Sequence, residues 1–170
     1  MHLDLRTEFE LAAPRLAVYQ AVRDVLAWPT WWRGCLAVAE LARGDERGIG
    51  AQRRIVWRSA LRYHLTIEME VTAIERGSFI QARSNGDLHG AGAWRLTDVP
   101  GGTHVAYLWR VVVVKPWMRR TAPLLAPLFR INHDWLMTAG AHGMARHLGV
   151  PRPRVRHCAG AAAQHGQDTA

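Results

Sequence analysis

From His2 to Leu11 the chain alternates, with Leu3, Leu5, Thr7, Phe9 and Leu11 on one side and His2, Asp4, Arg6, Glu8 and Glu10 on the other. A period of two predicts a strand with one dry face. Pro14 suits a first helical position, and Leu16, Val18, Tyr19, Val22 and Leu26 follow near helical spacing until Trp28-Pro29 breaks the pattern. The connector that closes this unit, Trp28-Pro29-Thr30-Trp31-Trp32-Arg33-Gly34, is dominated by aromatic rings.

Between Cys35 and Lys115 the pattern is that of successive strands, separated by turn signals at Gly44–Gly50, Arg76–Ser78, Asn85–Asp87 and Asp98–Gly102. Short links predict an antiparallel meander. Its clearest strand faces Tyr63, Leu65, Ile67, Met69 and Val71 one way and His64, Thr66, Glu68, Glu70 and Thr72 the other. The last strand, Thr103–Lys115, aligns Val105, Tyr107, Trp109, Val111 and Val113, while Val112 and Val114 predict cover on both faces near its end. In the strand before it, Trp94 and Leu96 share a face with Gly90 and Gly92, which leaves room beside the sheet.

After Pro116 the pattern turns helical up to Leu148, with Pro123 and Pro127 disturbing the first turns and Gly149 and Pro151 ending it. At 100° per residue Leu125, Leu128, Phe129, Leu136, Ala139, Gly140 and Gly143 form one stripe, opposite Arg130, Asp134, Thr138, Ala141 and Ala145. The small residues of the stripe predict a close approach of this helix to the sheet. Residues 151–170 have no periodicity and are expected to form a disordered basic tail behind one domain, residues 1–150. The fold class expected is α+β: a curved antiparallel sheet of six or seven strands around a long C-terminal helix, with short N-terminal helices.

Composition adds two things. Eight tryptophans against three phenylalanines and three tyrosines supply rigid rings with hydrogen-bond donors. The net charge of +8 raises the prospect of anionic partners, but residues 1–150 keep 19 basic and 13 acidic side chains dispersed along the chain, and no nucleic-acid motif accompanies them. Nucleic acid is therefore not an expected partner. Two cysteines, Cys35 and Cys158, support neither a disulfide framework nor a cysteine metal site. With no leader pattern, and with Thr121–Phe129 as the longest uncharged apolar run, the expectation is a cytoplasmic protein without a membrane span.

The order strand, helix, aromatic link, meander, long helix resembles the START-like or helix-grip superfamily, which includes Bet v 1-like proteins and the polyketide cyclase/dehydrase and lipid-transport group. Phe9, Pro14, Val18, Tyr19, Val22, Asp24, Trp28-Pro29 and Trp31-Trp32 carry the resemblance at the front. Gly86-Asp87-Leu88, Trp94, Gly102-Thr103, Tyr107, Trp109, Asn132-His133-Asp134, Gly140 and Gly143 carry it at the rear. The resemblance implies an internal pocket.

None of the nine histidines has a metal-ligand or nucleophilic spacing, and the chain has no nucleophile elbow, phosphate loop or dinucleotide fingerprint, so no metal or cofactor is expected. Asn132 projects near the centre of the apolar helix stripe, where an unpaired amide costs about 1–3 kcal/mol; it is either a bonded core amide or a ligand contact. His133, at the stripe's edge, is either an interfacial side chain or a pocket group able to move a proton. Trp57, Tyr63, Trp94, Tyr107, Trp109 and Trp135 suit a core singly and a cavity wall as a set, joined by Ile67, Met69 and Leu136. Arg53, Arg54 and Arg58 alternate imperfectly with Ile55, Val56 and Trp57, so they are either solvated at a strand end, on a short or bulged strand, or include at least one inward arginine, with Arg54 the candidate. Asp24 and Asp87 read as loop anchors. Trp28, Trp31 and Trp32 read as a pocket lid, or as a membrane-touching patch beside Arg33.

The function expected is binding of a lipid, quinone or polyketide-like molecule by a carrier, sensor or chaperone. The alternatives are an aromatase/cyclase using Asn132, His133 or Arg54 with water, and a quinone chaperone that touches anionic membrane transiently.

Overall fold

The computed structural model describes residues 2–58, 64–113 and 122–159. Along the chain lie β1 (His2–Leu11), α1 (Arg15–Arg23), a 3-10 turn (Val25–Ala27), α2 (Trp28–Trp31), β2 (Cys35–Ala42) and β3 (Gln52–Arg58). They are followed by β4 (His64–Glu75), β5 (Phe79–Gly86), β6 (Leu88–Val99), β7 (Gly102–Val113), α3 (Ala122–His147) and β8 (Val155–Ala159).

One antiparallel sheet has the order β2-β3-β4-β5-β6-β7-β1-β8. The meander from β2 to β7 is the expected one, and β1 lies along β7 with Leu5 opposite Trp109 and Thr7 opposite Tyr107. The expected α+β architecture is present, with eight strands rather than six or seven. The additional strand arises within the stretch expected to be a disordered tail: Val155–Ala159 pairs with β1, Phe9 opposite Val155 and Leu5 opposite Ala159. Once β7 covers one edge of β1, the other edge presents unpaired N–H and C=O groups, and this short segment satisfies them. Residues 160–170 lie outside the described residues, as do Tyr63 and the expected first helical residues 116–121.

In β1 the predicted dry face is buried throughout, Leu3, Leu5, Thr7, Phe9 and Leu11 included. In α1 Val18, Tyr19 and Val22 are buried, but Leu16 and Leu26 are exposed. The helix ends at Arg23, and Asp24 (ψ 69°) leaves the helical region, so Leu26 no longer shares the stripe's phase.

In α3, Phe129, Asn132, Gly140 and Gly143 are buried as the stripe predicts; the side chain of Leu125 lies outside the described ones. The supposed opposite face is not free, because Ala141 and Ala145 are completely buried beside Met137 and Met144. The helix is packed on several sides, against α2, β1 and β8. Its small residues serve α2 rather than the sheet: a Cβ at Gly140 would collide with the Trp32 ring, and one at Gly143 with the Trp31 carbonyl.

Candidate functional site

The curve of the sheet and the lower half of α3 enclose a cavity of about 300 Å³, within the range of small-molecule sites. Alternation determines what faces it. On β3, Arg53, Ile55 and Trp57 point inward, opposite Met69, Ile67 and Leu65 on β4, and Val71 continues the β4 row. Gly92, Trp94, Tyr107 and Trp109 close the wall from β6 and β7, and Leu3 and Leu5 complete it from β1. Trp28 and Trp32 enter from α2, and Phe129, Asn132, His133, Leu136 and Met137 from α3.

Gly92 is required by this packing. A Cβ there would lie 2.6 Å from the Tyr107 hydroxyl and 2.8 Å from the Trp109 ring, so the missing side chain is the space the two rings occupy. From there aromatic contacts run continuously: Trp109 to Tyr107 (6.0 Å), Tyr107 to Trp94 (4.4 Å), Trp94 to Trp32 (6.1 Å), and Trp32 to Trp57 (5.1 Å) and Trp28 (4.8 Å). Two indoles are tethered: Trp32 Nε1 donates to the Leu136 carbonyl at 2.8 Å, and Trp28 Nε1 to the Ala21 carbonyl at 3.2 Å.

The polar groups on this apolar wall are few. Asn132 is 5% exposed and lines the cavity. His133 stacks parallel to Tyr107 at 6.4 Å, and its Nε2 is buried without a hydrogen-bond partner. Its Nδ1 lies 3.4 Å from Asp134 Oδ1, which is also 3.4 Å from His157 Nδ1 on β8. His157 is held further by the hydroxyls of Thr7 (3.0 Å) and Thr138 (2.9 Å). The ligating atoms of His133, Asp134 and His157 fall within 4.8 Å of one another, a donor set of the kind divalent metals take. No spacing in the chain announces it, because His157 reaches α3 only through the pairing of β8 with β1.

Burial works against the charge on Asp134, but the hydrogen bond from His133 and the nearby charges of His157, His133 and Arg130 hold its carboxyl below the ordinary range. Burial holds the His157 imidazole below its ordinary range, with Asp134 opposing and His133 reinforcing. Burial raises the Tyr107 phenol far above its usual value, so it stays a neutral donor. The buried Cys35 thiol is pushed up to about 12, which removes it as a nucleophile.

Of the residues singled out by the sequence, Trp57, Ile67, Met69, Trp94, Tyr107, Trp109, Asn132, His133 and Leu136 line the cavity. Trp135 does not: it packs against Gly34, with the Arg33 guanidinium 6.0 Å over its ring. Tyr63 is outside the described residues. The inward arginine is Arg53 rather than Arg54, whose Nη2 pairs with Glu68 at 2.7 Å on the outer face of the sheet. Of the three connector tryptophans, Trp28 and Trp32 line the cavity, whereas Trp31 stacks between Trp32 and His147. All three are buried, so they form no exposed membrane-touching patch. Among the described residues no helix is long and apolar enough to cross a membrane.

No curated protein matches the chain in sequence. Solved structures share its fold: a Streptomyces aromatase/cyclase, Zhui, superposes with a TM-score of 0.74 at 14% identity, covering 88% of this chain and 94% of that one. A START superfamily protein from Mycobacterium smegmatis gives 0.70 at 15% identity over 86% and 97% of the two chains. A Thermus thermophilus protein gives 0.68 at 18% identity over 85% and 98%. The sequence profile of one family, described as polyketide cyclase/dehydrase and lipid transport, matches residues 2–149, and the chain belongs to that family.

Proposed function

We propose that the cavity binds a hydrophobic or aromatic small molecule, such as a lipid, quinone or polyketide-like chain, for carriage, sensing or protection. The observation that carries this reading is the composition of the wall. Tryptophans, a tyrosine and aliphatic side chains surround about 300 Å³ of space, with Asn132 and His133 as the polar groups contributed by α3. Apolar burial supplies affinity at about 25 cal/mol per Å² removed from water, and one or two fixed polar groups set orientation. The fold it shares with the START superfamily protein is consistent with such a role.

The test is native mass spectrometry of protein purified from its own host, followed by denaturing extraction and identification of what is released. The expected result is a stoichiometric apolar molecule. Protein that emerges empty and then binds no member of a panel of quinones, acyl chains and aromatic polyketides overturns the reading.

A second reading, an aromatase/cyclase-type enzyme, is favoured by His133. His133 lines the cavity, its Nε2 has no hydrogen-bond partner and its Nδ1 faces the Asp134 carboxylate, a ring suited to exchanging a proton with a bound substrate. In such a reaction the imidazole takes a proton from a methylene flanked by carbonyls and returns one to the departing hydroxyl, which leaves as water. On this reading His133→Asn retains binding and loses turnover by about 10²-fold or more. Unchanged turnover of a bound polyketide substrate would remove the assignment.

A further inference from the structure

We propose that the occupant of the cavity is an amphiphile with one anionic end, its carboxylate or phosphate held at the mouth by Arg53 and Arg43. This rests on the reading that the cavity binds a hydrophobic small molecule.

The exposed residues of the lining, Arg23, Arg43 and Asp45, gather where the end of α1 meets the β2–β3 connection, and they mark the mouth. Arg53 stands just inside it. Its side chain is only 18% exposed, on the inward face of β3 in line with Ile55 and Trp57. A guanidinium at the edge of an apolar wall requires a counter-charge. The available one is shared: Glu40 Oε2 accepts from Arg53 Nη2 at 2.7 Å, and Oε1 of the same carboxylate accepts from Arg43 Nε at 3.1 Å.

One carboxylate between two guanidiniums leaves a positive charge uncompensated. Asp45 keeps its negative charge at the mouth but pairs with neither guanidinium, its Oδ1 accepting from the backbone N–H groups of Arg47 (2.9 Å) and Ile49 (2.8 Å), and Arg23 offsets it. Glu46 is exposed on the same connection, outside the lining. Arg23 adds a third guanidinium on the other lip, with Nη2 3.4 Å from the Arg47 carbonyl. A cationic ligand end is repelled here and a neutral one leaves the charge to water. An anionic end accepts charge-assisted hydrogen bonds in the planar geometry that arginine presents.

The experiment is calorimetric titration of the full chain with decanoate, decanol and decylammonium, which share an apolar body and differ in end charge. Decanoate is expected to bind about tenfold more tightly than decanol, the scale of one charge-assisted hydrogen bond at a partly exposed site, and decylammonium more weakly than either. The gap narrows at high ionic strength. Arg53→Gln closes it, and so does Arg43→Gln, a substitution at a side chain 92% exposed that leaves the fold intact. Arg54→Gln, on the same strand but on the outer face, keeps it. Decyl phosphate in place of decanoate separates the two acid groups, the tighter of the two identifying the natural end. Equal binding of the three decyl compounds overturns the inference and leaves the reading of the cavity standing; binding of none overturns the inference, and the reading of the cavity falls with it when quinones and aromatic polyketides also fail to bind.

Discussion

At position 140 two preferences of the chain oppose each other. Alanine in a helix interior is favoured over glycine by about 1 kcal/mol, yet a methyl group there would enter the Trp32 ring. Overpacking of that kind costs about 1–3 kcal/mol, so Gly140→Ala is expected to destabilise by up to about 2 kcal/mol net, read as a lower urea midpoint at unchanged slope. A stabilised variant would mean that α2 yields easily and does not form a firm wall. Asn132 and His133 were legible in the sequence because helical projection over a long segment fixes their direction, and both line the cavity. Arg53 was not, because the phase of a seven-residue strand is set by its register with β4, where Arg53 lies opposite Met69. Trp135 satisfied the same aromatic criterion as Trp94, but its neighbours are Gly34 and Arg33.

Among the elements, β8 depends most on a single side chain. It is a short edge strand, and His157 ties it to Thr7 on β1 and to Thr138 and Asp134 on α3. Because burial lowers the His157 pKa from its ordinary 6.5, the folded arrangement binds that proton less readily than the unfolded chain does. The contribution is fully present above about pH 6.5 and is lost as pH falls toward the lower folded value. Asp134, also lowered, loses its contribution further down, below the ordinary carboxylate range of about 4. Amide exchange in β8 is therefore expected to accelerate relative to β6 between pH 7.5 and 5.5 in the wild type. His157→Gln is expected to flatten that dependence, and an unchanged profile in this variant would place the pH sensitivity elsewhere. The seven strands of the meander and β1 were legible from alternation and turns. Strand β8 was not, because VRHCA carries no periodic signal and becomes a strand only where β1 offers it an edge.

For the molecule as a whole, a ligand that binds only the folded state stabilises it by about 2.7 kcal/mol at a hundredfold excess over Kd. In a domain of this size that corresponds to a Tm increase of roughly 5–10 °C, which differential scanning fluorimetry reads directly. Stripping a co-purified occupant is expected to lower Tm by a similar amount, and no change would mean that it does not bind the folded state in preference to the unfolded one. The position of β1 in the sheet also determines when the domain can close. Its neighbours are β7 and β8, and the Thr7–His157 bond spans 150 residues of chain. At about 5–20 residues per second of synthesis, the ribosome has been adding residues for roughly 8–30 s after Thr7 emerges before that partner exists. For the part of that interval before β7 is made, Leu3, Leu5 and Phe9 lie on a strand with no mate, so a nascent-chain chaperone has its longest opportunity at the segment made first.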